Sequence, residues 1–262
     1  MAKARLTLPL LAAAVLIVAS LLLAQQPEPH TRKPASAHSQ TVAEAAAVIP
    51  MSSAGMTDGK VIFEKICSSC HGIDGGGKME LKSPAIAALP ESYARHQILG
   101  FREGRRGHIP EDTPSYLMAM IAKQLTDAQV NAVVAHITSL PRVVPTSLEK
   151  DWQNVDLANG QMLFQERCME CHRYNASGEI AFGSPPLVGQ QAWYLMAQIT
   201  QFKKGQRGTV KGDVNGAKMV LSSNFIEDEQ MLRDIVAYIL SLNPRPERPA
   251  KSRDGPFEAV SR

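Results

Sequence analysis

Two five-residue segments constrain most of what this 262-residue chain can fold into: Cys67-Ser68-Ser69-Cys70-His71 and Cys168-Met169-Glu170-Cys171-His172. Both have the form C-x-x-C-H, and their surroundings repeat in one register. The shift that carries Cys67 to Cys168 also carries Gly59 to Gly160, Phe63 to Phe164, Ser83-Pro84 to Ser184-Pro185 and Tyr93 to Tyr194. It carries Gln97 to Gln198, Arg106-Gly107 to Arg207-Gly208, and Met118 to Met219. A register kept over residues 59–118 marks a duplicated unit. The body of the chain is therefore read as two small domains, residues 56–142 and 157–243, joined by a polar connector at 143–156.

The motif spacing has a chemical reason. On a helical turn, cysteines three apart share a face, so both thiols can bond the vinyl groups of one porphyrin while the next residue reaches its iron. C-x-x-C-H is the attachment site of a c-type haem. An isolated C-x-x-C also suits zinc or a redox dithiol, but two copies in a duplicated frame point to two covalently bound haem c groups. Cys67, Cys70 and His71 would hold one, and Cys168, Cys171 and His172 the other. All four cysteines are then used, which leaves no thiol for a disulfide, a second metal or a cysteine-ligated iron.

What the iron carries on its other face separates electron transfer from catalysis. No histidine follows His172, so bis-histidine ligation from within the second domain is excluded. The methionines after the second motif are Met196, Met219 and Met231; Met196 and Met231 fall in helical patterns, whereas Met219 lies in a loop-like stretch before the last helix. Met118 and Met219 each stand 47 residues after their histidine, while Met120 maps onto Leu221. Met118 and Met219 are therefore the expected axial ligands, soft neutral donors that fill the site. His96, His108 and His136 map onto Ala197, Thr209 and Tyr238, so the duplicated frame does not require histidine there, and surface or packing roles are expected. Pro84 and Pro185 stand at one offset behind the two motifs, where either a backbone carbonyl accepts the second ring N–H of the histidine or the proline simply shapes a turn.

The remaining pattern is helical, with no strand-like alternation of convincing length. Asp58 to Ile66 reads as a helix leading into the first motif, and Glu91 to Glu103 and Ala192 to Lys204 as an equivalent pair stopped by Gly104 and Gly205. Final helices start near Thr126-Asp127 and Asp228, with Val130, Val133, Val134 and Ile137 matched by Leu232, Ile235, Val236 and Ile239. Each domain is roughly ninety residues, small for an independent core; a buried porphyrin explains how a sequence only 5% aromatic folds compactly.

Ahead of the domains, Lys3 and Arg5 precede nineteen uncharged residues, Leu6 to Ala24. Residues 1–24 read as an uncleaved membrane anchor, the alternative being an export signal that is removed. The position of the basic residues leaves the body outside the cytoplasm in either case. Residues 25–55, rich in Pro, Ala, Ser, Gln and His, read as a flexible tether, and 244–262 as a Pro/Arg-rich tail. Basic residues near the ligand segments, among them Arg105, Arg106, Lys204 and Arg207, are expected to form a local rim, although the net charge is only +3. Export argues against a nucleic-acid partner.

The C-x-x-C-H, Ser-Pro, Tyr-x-x-x-Gln-x-x-x-Phe-x-x-Gly-x-Arg and methionine series, with Pro185-Pro186-Leu187-Val188-Gly189-Gln190, resembles the dihaem cytochrome c4 family. The resemblance implies an all-α fold of two tandem cytochrome c domains related by a pseudo-twofold, with His/Met ligation at both irons. It further implies periplasmic one-electron transfer, from a quinol-oxidising complex toward a terminal oxidase. The alternative is an electron-accepting subunit of a periplasmic dehydrogenase; a haem enzyme of the dihaem peroxidase type fits the paired methionines less well. Ala88 stands where the second half has Gly189, and Pro110 and Pro114 adjoin the expected ligand segment, so geometry there departs from the family pattern.

Overall fold

The computed structural model describes residues 55–144, 152 and 154–242; the anchor, most of the tether and the tail inferred from sequence lie outside the described residues. Among the described residues no helix is long and apolar enough to cross a membrane. In the first domain, Asp58 caps α1 (Gly59–Ile62) by accepting from the Lys60 and Val61 amides at 2.7 and 3.2 Å. The helix widens into a π-helical turn at Phe63–Cys67 and closes as α2 (Ser68–His71). Then follow α3 (Glu91–Arg102), α4 (Thr113–Ala122) and α5 (Asp127–Ser139). Thr126 and Gln129 start α5 with a reciprocal capping box. The second domain repeats the order with α6 (Leu157–Arg167), α7 (Met169–His172), α8 (Ala192–Lys203), α9 (Val214–Ser223) and α10 (Glu229–Ser241). Extended pairing among the described residues amounts to two isolated bridges, Lys78 with Ser83 and Glu179 with Ser184. The chain is all-α, as expected.

Each domain closes by crossing its first helix over its last. The crossing is tight because a glycine sits at the contact: a Cβ on Gly59 would collide with the Ala132 carbonyl oxygen, and one on Gly160 with that of Asp234. Behind it, Ile62, Phe63, Val130, Val133 and Val134 form one core, and Leu163, Phe164, Ile235, Val236 and Ile239 the other. Phe63 packs on His136 with centroids 5.1 Å apart, and Phe164 on Tyr238 at 5.5 Å. His136 is thus a packing residue, which explains why tyrosine replaces it in the second copy.

One local expectation is corrected. The stretch carrying Met219 is the helix α9 rather than a loop, and Met118 lies on its equivalent, α4. Pro114 does not disturb α4, because it falls in the first turn, where its missing N–H is not needed. Asp213 starts α9 by accepting from the Gly216 amide at 2.9 Å. Both helices are ten residues long and carry a loop-typical residue in the first turn, Pro114 in α4 and Gly216 in α9, which masks them locally.

Duplication kept the backbone even where it changed the side chain. Gly189 turns with φ +82°, and Ala88 adopts the same left-handed region at φ +56°. A Cβ there costs roughly 1–2 kcal/mol. Ala88→Gly is therefore expected to raise stability by about 0.5–1 kcal/mol in denaturant unfolding, after allowing for glycine's looser unfolded state. Gly160→Ala should do the reverse, lowering stability by about 1–3 kcal/mol as α6 is forced off α10, read in the same titration.

Candidate functional site

Both motifs open onto one cavity of ≈ 630 Å³ that spans the two domains. Its lining includes Cys67, Cys70, His71 and Met118 from the first domain, and Cys168, Cys171, His172 and Met219 from the second. The structure thus brings together all eight residues singled out from sequence. Met120, by contrast, is 37% exposed, and its counterpart Leu221 is 73% exposed.

His71 and His172 are buried, and their Nδ1 atoms lie 2.9 and 3.1 Å from the carbonyl oxygens of Pro84 and Pro185. A carbonyl only accepts, so Nδ1 carries the proton and the lone pair of Nε2 is left for a metal. Burial lowers the pKa of both imidazoles, and the carbonyl bond offsets this in part; they stay neutral, as ligands must. Burial, with a smaller contribution from the neighbouring thiol, pushes Cys67 and Cys168 up to about 12. A thiol held protonated by burial is a poor nucleophile.

The turn after each motif is built around the histidine as well. The Gly77 amide donates to the His71 carbonyl at 2.8 Å, and the Gly178 amide to that of His172 at 3.0 Å. Added at Gly77, a Cβ would lie 2.6 Å from the Pro84 carbonyl carbon; at Gly178 it would lie 2.5 Å from that of Pro185. Glycine is retained in both copies because the proline strand passes directly over this turn.

Between the two halves of the cavity lies a pseudo-symmetric polar cluster. Arg106 donates to Gln97 Oε1 at 2.6 Å and to Gln198 Oε1 at 3.0 Å. Arg207 donates to Gln198 Oε1 at 2.6 Å and to Gln97 Oε1 at 3.0 Å. Tyr93 bonds Arg207, and Tyr194 bonds Arg106. The guanidiniums lie over Phe101 and Phe202 at 4.3 and 4.4 Å. At 8% and 9% exposure, these arginines belong to the interface, not to the surface rim expected from sequence. Arg105 is likewise engaged, with Glu103 and His96.

Neither buried guanidinium has a carboxylate within ion-pair distance among the described residues. Burial and the facing Arg106 charge hold Arg207 below its ordinary value. The indole N–H of Trp193, also on the cavity wall, is buried without a partner. An apolar-walled cavity with two uncompensated cations and an orphan donor fits an apolar macrocycle bearing carboxylates. The residues present therefore suit haem. The Trp193 donor was not legible along the chain, nor was the reach of Gln190 and Gln191 from the second domain to Ala85 and Gly76 of the first.

Comparison with known proteins agrees with this construction. The profile of the cytochrome c family matches residues 56–141 and 157–243. The thiosulfate dehydrogenase electron acceptor of Thiomonas intermedia is 32% identical over 156 residues, which cover 54% of this chain and 64% of that protein; the chain thus spans slightly under two thirds of that relative's length. Cytochrome c4 of Stutzerimonas stutzeri is 30% identical over 172 residues, covering 62% of this chain and 80% of that protein. The crystal structure of reduced recombinant cytochrome c4 from Pseudomonas stutzeri shares the fold with a TM-score of 0.57, at 24% identity, over 72% of this chain and 100% of that one. The chain belongs to the cytochrome c family, as a dihaem protein of the cytochrome c4 type with two covalently bound haem c groups.

Proposed function

We propose that this protein relays single electrons through two His/Met-ligated haems that face each other across its domain interface. The observation that carries this reading is the single cavity holding both C-x-x-C-H motifs and both repeat-matched methionines. Cys67 and Cys70 would anchor one haem and Cys168 and Cys171 the other, and His71 with Met118, and His172 with Met219, would hold the two irons. When bound, each iron supplies a one-electron couple. The chain's residues set how that couple behaves. The proline carbonyls fix the histidine tautomers, the methionine sulfurs close the sixth position against substrates, and Arg106 and Arg207 offset the carboxylates of the porphyrins. A filled sixth position makes this an electron-transfer protein, not an enzyme with its own substrate site.

Two half-exposed apolar hairpins frame the cavity mouths. Leu81 and Phe182 line the cavity yet are each 47% exposed, next to Met79 and Ile180. Exposed apolar residues beside a redox site suit brief docking of redox proteins. The partners proposed are a quinol-oxidising complex as donor and a terminal oxidase as acceptor, on the periplasmic side of the inner membrane, with residues 1–24 as anchor. The 32% identical relative named as a thiosulfate dehydrogenase electron acceptor favours a second reading, in which a periplasmic dehydrogenase is the donor.

A haem assay of the purified oxidised chain should give two haems per polypeptide, with a near-infrared sulfur-to-iron charge-transfer band of matching strength. Met118→Ala and Met219→Ala should each remove half of that band; a full band in either variant would assign the ligand elsewhere. Arg106→Leu should lower both midpoint potentials, because a shared cation favours the reduced, less positive iron. About a threefold loss of electron affinity at each haem, ~30 mV, is expected by protein-film voltammetry.

A further inference from the structure

The two proximal histidines are held by bonds of the same kind, yet the peptide groups that hold them are not equivalent. The carbonyl accepting from His71 belongs to the Pro84–Ala85 peptide, and the N–H of that same peptide, on Ala85, donates to Gln191 Oε1 at 3.0 Å. The other half of the Gln191 amide donates to the Gly76 carbonyl at 2.8 Å. That carbonyl belongs to the Gly76–Gly77 peptide, whose own N–H holds the His71 carbonyl at 2.8 Å. One side chain of the second domain thus grips both peptide groups that position the axial histidine of the first. Gln190 supports it from the adjacent position, donating to the Ala85 carbonyl at 2.8 Å.

Among the described residues no first-domain side chain returns this contact. In the second domain the peptide holding His172 is Pro185–Pro186, which has no N–H to donate, and the positions matching Gln190 and Gln191 are Leu89 and Pro90. Gln191 also stands at the N-cap of α8, and its side chain does not cap that helix. Its side chain is spent across the interface instead. The bond to Pro84 is the shorter of the two histidine bonds, 2.9 against 3.1 Å.

We infer that Gln191 is a positioning residue through which docking of the second domain sets the electron affinity of the first domain's haem; this rests on His71 being its axial ligand. Hydrogen bonds in a chain polarise one another. An Ala85 N–H engaged by Gln191 makes the Pro84 carbonyl a stronger acceptor, which draws the Nδ1 proton and makes Nε2 the more basic donor. A more basic ligand favours the oxidised iron, so Gln191 holds this haem's potential down and leaves the other untouched. The bias moves an electron from the first domain toward the second, and it exists only while the domains are docked.

The test uses the full chain with haem bound, and two variants that break the contact from opposite sides. Gln191→Leu removes the acceptor. Ala85→Pro removes the donor and gives the first domain the Pro-Pro peptide that the second already accommodates. Redox titration followed by the hyperfine-shifted haem-methyl proton resonances, assigned to each domain by contacts to its own residues, reads the two haems separately. Each variant should raise the first-domain potential and shift the partition of one electron between the haems about threefold, ~30 mV, with the second haem unmoved. The double variant should add nothing further. In the reduced protein the His71 Nδ1 proton should move to higher field. A partition unchanged within 1.5-fold, equal shifts at both haems, or additive effects would each overturn the inference. The near-infrared band of the wild type separates this failure from a deeper one: a full two-haem band with unmoved potentials sinks only the role of Gln191, whereas a missing first-domain half sinks the ligation reading as well.

Discussion

The structure turns on two buried guanidiniums that face each other across the domain interface with amide oxygens, not carboxylates, as their partners. Arg106 and Arg207 each bond both Gln97 and Gln198, so each cation belongs to both domains at once. Such an arrangement is unfavourable by itself, since two desolvated like charges gain little from neutral acceptors. It becomes favourable when carboxylates enter the same cavity, which the haem propionates supply. Cofactor binding and domain docking would then be one problem: the macrocycles would complete the apolar cores of two small domains, and Arg106 and Arg207 would hold their carboxylates.

Duplication kept one backbone in two halves whose side chains have diverged widely. Glycine was kept at 59/160 and 77/178, where a Cβ would strike the backbone. At the position of Gly189, where only the left-handed turn was required, Ala88 was tolerated. The replacement of Leu89-Pro90 by Gln190-Gln191 is a change of another order, because it lets one domain reach the peptide that holds the other's axial histidine. Two sites with one coordination chemistry can then differ in electron affinity without any change of ligand.

The legibility of the sequence varied with the range of the interaction. The motifs, the repeat, the helix caps at Thr126 and Asp228, and the proline carbonyls behind the histidines are local or repeat-borne, and each was visible along the chain. The helices bearing Met118 and Met219 were not, since each is only ten residues long and opens on residues typical of loops, Pro114 in one and Asn215-Gly216 in the other. Arg106 and Arg207 looked like members of a basic rim because charge in a sequence carries no sign of burial. Only packing reveals that they face inward.

The cofactor class, the duplicated helical architecture and the paired C-x-x-C-H motifs were fixed along the chain, because covalent haem attachment uses fixed residue types at fixed spacing. Tertiary structure decided how the halves meet: the shared cavity, the crossed arginine and glutamine bonds, and the reach of Gln191 to Ala85. Those depend on which surfaces are pressed together over more than ninety residues of separation, and no local propensity or motif spacing encodes that.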